Sequence, residues 1–174
     1  MKGKHWLLLV LVLCVFNSCD FLQDSKSDSD DFYTAQKEGD QWRIPLLKPY
    51  SLVSPTNTTD WFLILHSPLI SGPDFMLFGE EFQLTSITQL GIQDSVLYLE
   101  SADYYWPKLS GSYPSVLFVD LKTDSSFIYT KALHQKAIHQ KKKALNIETI
   151  ELYDFETVKS DFQQKGKLPM GWEK

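Results

Sequence analysis

The stretch Val116-Leu117-Phe118-Val119 decides the fold that this sequence can adopt. Successive side chains of a β-strand point to opposite faces of a sheet, and all four residues here are apolar. A strand with two apolar faces has to be covered on both sides, so we expect it to lie in the centre of a sheet. The strand continues to Lys122, and a partner strand follows the turn Thr123–Ser126 at Phe127–Thr130, which predicts a β-hairpin.

The residues before this hairpin are also typical of strands. Ile87–Ile92 and Ser95–Glu100, joined by Gln93-Asp94, predict a second hairpin. Farther upstream, Trp61–His66 is nearly continuously apolar and predicts a strand. The remaining predicted pieces are an edge strand or extended arm at Trp42–Tyr50, a loop at Pro68–Pro73 and a short apolar piece at Phe75–Phe78.

The period of the pattern changes after Thr130. Apolar residues then fall on one side of a helix, namely Leu133, Ala137, Ile138, Ala144 and Leu145. Ile147–Tyr153 predicts a further strand, and Asp154 predicts the N-cap of a second helix that ends at Lys165-Gly166. The apolar face of that helix consists of Phe155, Val158 and Phe162. We therefore expect an α+β fold, a mainly antiparallel β-sheet with two C-terminal helices packed on one face.

The N-terminus is typical of a secretory signal. Basic residues come first, the apolar run Trp6–Phe16 follows, and Asn17-Ser18 leads to Cys19. The run covers about eleven residues, whereas a helix that crosses a membrane needs about twenty. Ser18-Cys19 resembles the lipobox of bacterial lipoproteins, although Phe16 and Asn17 depart from its usual residues. The resemblance implies that residues 1–18 are a cleaved signal peptide and that Cys19 carries fatty acids such as palmitate. The alternative is an ordinary secretory signal that ends near a cysteine.

Residues 19–41 are predicted to be the lipidated cysteine and an acidic, flexible tether, because this stretch is too polar to offset the entropy of ordering. Residues 42–174 then form a single globular domain of ordinary size. Acidic residues near Cys19 resemble surface-export signals of some Gram-negative lipoproteins, whereas Asp20 is typical of inner-membrane retention in other lineages. The expected location is the bacterial cell envelope, with the outer membrane favoured and the leaflet left open.

The sequence shows no pattern that is typical of a cofactor, a metal site or a nucleotide site. It has neither a Gly-x-Ser-x-Gly string nor a glycine-rich phosphate loop. His134 and His139 are five residues apart, which separates them by about 140° on a helix. The net charge of −5 and the single basic run Lys141–Lys143 argue against nucleic-acid binding. We therefore expect no cofactor and favour an interaction role over catalysis.

The candidate binding residues are aromatic and lie between the two hairpins, at Tyr104, Tyr105, Trp106 and Tyr113. Exposed aromatic side chains can stack on sugars or anchor a protein partner, and the alternative is that they fold back onto the core. Glu100 and Asp103 keep open a second hypothesis, an envelope hydrolase that acts on glycans. Such an enzyme needs two carboxylates about 5 to 9 Å apart. A purely structural envelope component is the third hypothesis.

Three strings are similar to segments of small uncharacterised lipoproteins of Bacteroidota-type bacteria, namely Arg43–Tyr50, Leu90–Tyr98 and Phe118–Lys122. The resemblance implies a lipoprotein address with a mainly β domain of unassigned activity, and it implies no catalytic residue. We expect a lipid-anchored envelope protein of the partner-recognition or immunity type. Its partners would be the membrane, through the lipid, and a protein or a glycan.

Overall fold

Strand β9, Ser115–Asp120, is buried along its whole length. It lies between β8, Val96–Tyr105, and β10, Ser125–Thr130, and pairs with both in the antiparallel sense. Leu117 and Val119 enter one hydrophobic cluster, whereas Val116 and Phe118 enter another. The central strand that the sequence predicted is therefore confirmed, with a core on each of its faces.

The computed structural model describes residues 31–34, 36–55, 58–65, 69–72, 75–78, 82–105 and 113–172. In this part of the chain the remaining strands are β1 Lys37–Glu38, β2 Gln41–Pro45, β3 Ser51–Pro55, β4 Phe62–Leu65, β5 Leu69–Gly72, β6 Phe75–Phe78, β7 Phe82–Gln93 and β11 Tyr153–Asp154. The helices described are α1 Asp31–Thr34, α2 Gln135–Ala144 and α3 Phe155–Lys165.

Among these residues eleven strands form one sheet. Ten of them follow the spatial order β1-β2-β3-β4-β7-β8-β9-β10-β5-β6, and β11 pairs with β7 outside this order. Strand β7 is long enough to pair along one edge with two strands, β4 near its start and β11 near its end. Strand β5 pairs with β10 in the parallel sense, and the other described pairings are antiparallel. The mainly antiparallel sheet is therefore confirmed.

The two C-terminal helices begin and end close to the predicted residues, which confirms the α+β class. Asp154 caps α3 by accepting a hydrogen bond from the Thr157 amide at 3.0 Å, and Gly166 ends the helix in the left-handed conformation, with φ 63°. The apolar face of α3 joins the larger cluster, whereas Ile138 of α2 joins the smaller one. We expected both helices on one face of the sheet. They instead cover opposite faces of β8 and β9.

Three segments differ from their predictions. Leu69–Gly72 is strand β5 within the predicted loop, because its backbone pairs with both β6 and the distant β10. Within Ile147–Tyr153 only the last residue is in a strand, since Ile147 and Ile150 instead pack into the smaller cluster. The edge strand predicted at Trp42–Tyr50 corresponds to β2. It is not at an edge, because β1 pairs with it on one side and β3 on the other.

The last residues of the predicted tether are part of the fold. Lys37 pairs with Trp42 in the β1–β2 hairpin, and the Gln36 side chain donates a hydrogen bond of 3.0 Å to the carbonyl oxygen of Phe162. Residues Phe32–Lys174 form one compact unit. The predicted signal peptide and Cys19 lie outside the described residues. In the described part of the chain, no helix is both long enough and apolar enough to span a bilayer.

Gly91 marks a close approach of the chain after α2 to the sheet. It pairs with Tyr98 in the β7–β8 hairpin. A methyl group added at Gly91 would clash with the carbonyl oxygen of Glu151 and would lie 3.1 Å from side-chain carbons of Ile150 and Leu152. Glycine is required here because the obstacle is backbone, which cannot rotate away as a side chain can.

The substitution Gly91→Ala should therefore lower the free energy of unfolding by about 2 to 3 kcal/mol, as overpacking of a core does. Urea unfolding followed by tryptophan fluorescence measures the change. Gln89→Ala is the control, because Gln89 lies on the same strand with an exposed side chain, and we expect it to cost less than about 1 kcal/mol. Equal stability of the two variants would contradict the close approach.

Candidate functional site

Three of the four predicted binding residues lie at one end of the sheet, where β8 ends and β9 begins. Strand β8 pairs with β9 only as far as Ser101, which faces Ser115. Beyond that point its partner among the described residues is β7, with Tyr104 opposite Leu84 and Tyr105 opposite Gln83. We call this region, with Tyr113 and the turn Lys131–Leu133, the β8–β9 end.

The structure brings three of the four predicted aromatic residues to this end. Tyr104 and Tyr105 are the last two residues of β8. Tyr113 lies two residues before β9, and 52% of its surface is exposed. Trp106 lies outside the described residues. Tyr113 therefore keeps part of its surface accessible to a partner.

Leu133 is a further exposed residue at the β8–β9 end that the sequence pattern assigned to the apolar side of α2. It lies instead in the turn before that helix, where 76% of its surface is exposed. The Lys131 amide donates a hydrogen bond of 2.8 Å to the carbonyl oxygen of Pro114. This bond joins the short segments that carry Tyr113 and Leu133. No local signal marked this exposure, because Leu133 has the same helical spacing as Ala137.

A backbone irregularity in β7 lies beside this end. Ser86 has a φ of 50°, and the register with β8 shifts between Ile87 and Gln89. The Ser86 hydroxyl lies 3.4 Å from a carboxylate oxygen of Asp103, and the Asp103 amide donates a hydrogen bond of 3.0 Å to the Ser101 hydroxyl. Bulges and left-handed conformations of residues other than glycine are enriched near functional sites.

Glu100 is a nearly buried carboxylate just below the β8–β9 end. The Tyr98 hydroxyl donates a hydrogen bond of 2.7 Å to one of its oxygens, and the Lys131 ammonium forms an ion pair with the other. The Lys142 ammonium lies 4.2 Å from the centroid of the Tyr98 ring. Burial lowers the pKa of Lys142, an effect that Lys131 reinforces and Glu100 opposes. Burial, together with the hydrogen bond and negative charge of Glu100, raises the pKa of Tyr98 well above its usual value.

These contacts tie the turn after β10 and helix α2 to the sheet. The Tyr98, Phe118 and Tyr129 rings form a row of edge-to-face contacts, with centroids 5.2 and 5.8 Å apart. His134 continues the row, at 6.4 Å from Tyr129. Because Glu100 already accepts from a phenol and an ammonium, its role in this arrangement is to hold the base of the β8–β9 end.

The carboxylates predicted for a glycan hydrolase are not placed as a facing pair. Glu100 and Asp103 are three residues apart on β8, so their side chains lie on opposite faces of the strand. Among the described residues no group of three or more His, Cys, Asp or Glu side chains could hold a metal ion. His134 precedes the first residue of α2, whereas His139 is an exposed residue of that helix.

Comparison of the chain with protein-family models, with curated proteins and with solved structures finds no match to any of them.

The raised pKa of Tyr98 predicts a loss of stability at high pH. Above the ordinary tyrosine pKa of about 10 the unfolded chain releases this proton while the folded chain keeps it, so stability falls by up to about 1.4 kcal/mol per pH unit. Tyr98→Phe should cost about 1 to 2 kcal/mol at pH 7, because the Glu100 hydrogen bond is lost. The difference in unfolding free energy between the variant and the original protein should then shrink between pH 10 and pH 11, as measured by urea unfolding.

Tyr129→Phe provides the comparison, because burial alone raises the pKa of Tyr129. We expect its stability difference from the original protein to shrink above pH 10 as well, but by less than that of Tyr98→Phe. Parallel stability curves for the original protein and Tyr98→Phe above pH 10 would contradict the raised pKa of Tyr98.

Proposed function

We propose that this chain is a lipoprotein of the bacterial cell envelope, anchored by fatty acids on Cys19, and that its folded unit recognises a protein partner through the β8–β9 end. The address is supported by the signal-like first eighteen residues and by the lipobox-like Ser18-Cys19. More than one acyl chain on a single cysteine would make attachment durable.

The observation that carries the binding role is the exposure of Tyr113 and Leu133 on a hydrogen-bonded base. Large apolar side chains that project from a rigid support lose little conformational freedom on binding, and aromatic anchors of this kind dominate protein interfaces. The aliphatic Leu133 favours a protein over a glycan, because sugars are recognised by stacking on flat aromatic faces.

The lipid anchor is tested by Cys19→Ser, with the full chain produced in a bacterial host that is fed a clickable palmitate analogue. We expect the original protein to carry the label and to sediment with membranes. The variant should lose both properties, because its hydroxyl cannot form the thioether that holds the lipid. Cys14→Ser is the matched control and should keep both. Label or membrane attachment that persists in Cys19→Ser would overturn the proposed anchor.

The partner surface is tested by photo-crosslinking from Tyr113, replaced by p-benzoylphenylalanine, in intact envelopes. We expect a discrete protein adduct whose yield falls about tenfold when Leu133→Ser is added, since central anchors of an interface contribute roughly 1 to 4 kcal/mol. Met170→Ser is the control, because Met170 is 97% exposed and lies near the C-terminus, outside the β8–β9 end. An adduct that is insensitive to Leu133→Ser, or no protein adduct, would count against the proposal.

A further inference from the structure

Positive charge is concentrated in one segment of this acidic chain. Residues 131–147 contain five lysines and no aspartate or glutamate, whereas the whole chain has 17 basic and 22 acidic residues. The segment comprises the turn after β10, helix α2 and the residues that follow it. Charge is therefore segregated, although the net charge is negative.

The lysines of this segment are in two different environments. Lys141 lies 3.3 Å from the centroid of the Phe127 ring and Lys142 lies 4.2 Å from that of Tyr98, so both side chains pack under the helix. Burial lowers the pKa of both residues. Lys131 forms its ion pair with Glu100. These three lysines are engaged by the sheet below them.

The outer face of α2 carries a second set of polar and basic residues. Lys136, His139 and Lys143 are exposed and are separated by three and four residues, which places them along one face of the helix. We call them the α2 stripe. Among the described residues no ion pair involves Lys136 or Lys143, so the two lysines of the stripe keep their charge available to a partner.

We propose that the α2 stripe rests on the anionic phospholipid headgroups of the membrane to which the chain is attached. This inference rests on the proposed lipid anchor at Cys19. Thirteen residues lead from Cys19 to Phe32, a length of at most about 45 Å even when fully extended, so anchoring keeps the folded unit at the bilayer surface. At that range a weak electrostatic contact becomes intramolecular and is populated.

An anionic membrane fits the stripe better than other polyanions do. Headgroup phosphates form a flat negative surface, which matches basic residues aligned along one helix face. The acidic remainder of the chain is repelled by the same surface, which favours the orientation with α2 toward the membrane. Helix α2 starts beside the turn that carries Leu133, and Asn146 near its end accepts a hydrogen bond from Gln93 of the β7–β8 hairpin. The helix therefore runs along the sheet. When α2 rests on the membrane, the β8–β9 end faces sideways, parallel to the bilayer.

The experiment uses the full acylated protein reconstituted into vesicles of phosphatidylcholine alone or with 30% phosphatidylglycerol. Brief treatment with an amine-reactive reagent is followed by mass spectrometry of each lysine. We expect Lys136 and Lys143 to be labelled at least about threefold more slowly on the anionic vesicles, with the difference lost in 0.5 M NaCl because salt screens the contact. Lys167, exposed and outside the segment, should react equally on both vesicles.

A pair of variants separates the stripe from a general effect of charge. Lys136→Gln should weaken the protection of Lys143, whereas Lys167→Gln, with the same change in net charge, should leave it intact. Equal labelling of the stripe on neutral and anionic vesicles would overturn the proposal. So would protection that appears only when polyglutamate is added to neutral vesicles, which would assign the stripe to an acidic polypeptide. Failure to float with phosphatidylcholine vesicles would instead overturn the anchor proposal.

Discussion

Burial of β9 on both faces is the constraint on which the rest of this structure depends. Every residue from Ser115 to Asp120 is buried, so each face of the strand needs its own apolar cover. One face is covered by the larger cluster with α3, and the other by the smaller cluster with α2. A sheet covered by only one layer would expose Val116 and Phe118 to water, at a cost of roughly 1.5 to 3 kcal/mol for each side chain.

The smaller cluster holds its helix with fewer apolar contacts and more polar ones. Ile138 is the buried residue of α2, whereas α3 buries three residues. Lys141 and Lys142 add to the few apolar contacts of α2. Their alkyl stems cover aromatic rings, and their ammonium groups remain near Asp120 and Glu100. This arrangement also explains why so basic a helix belongs to an acidic protein. Half of its lysines compensate buried carboxylates, and the exposed ones are left for another role.

The two proposals assign different parts of this layer to different surfaces. The β8–β9 end carries exposed apolar side chains on a base fixed by the Lys131–Pro114 hydrogen bond and by Glu100. The α2 stripe lies on the outer face of the helix that starts from the same turn. A lipid anchor would bring the stripe to the membrane and present the sheet end laterally. Each role depends on the same small core, because loss of the Tyr98–Glu100–Lys131 contacts would release both the turn and the helix.

Local sequence determined the elements whose signals lie within a few residues. Helix α3 is an example, because Asp154, the apolar spacing of Phe155, Val158 and Phe162, and Gly166 each act on the helix that contains them. The burial of β9 was equally readable, since two apolar faces allow only a central position. Tertiary structure alone decided that Leu69–Gly72 is a strand, because its partner β10 lies more than fifty residues away. It also decided which face each helix covers. The pairing of Glu100 with Lys131 and the Lys131–Pro114 hydrogen bond, which joins the segments of Leu133 and Tyr113, likewise depend on strand register. Register sets the neighbours of residues far apart in the chain and leaves no local pattern in the sequence.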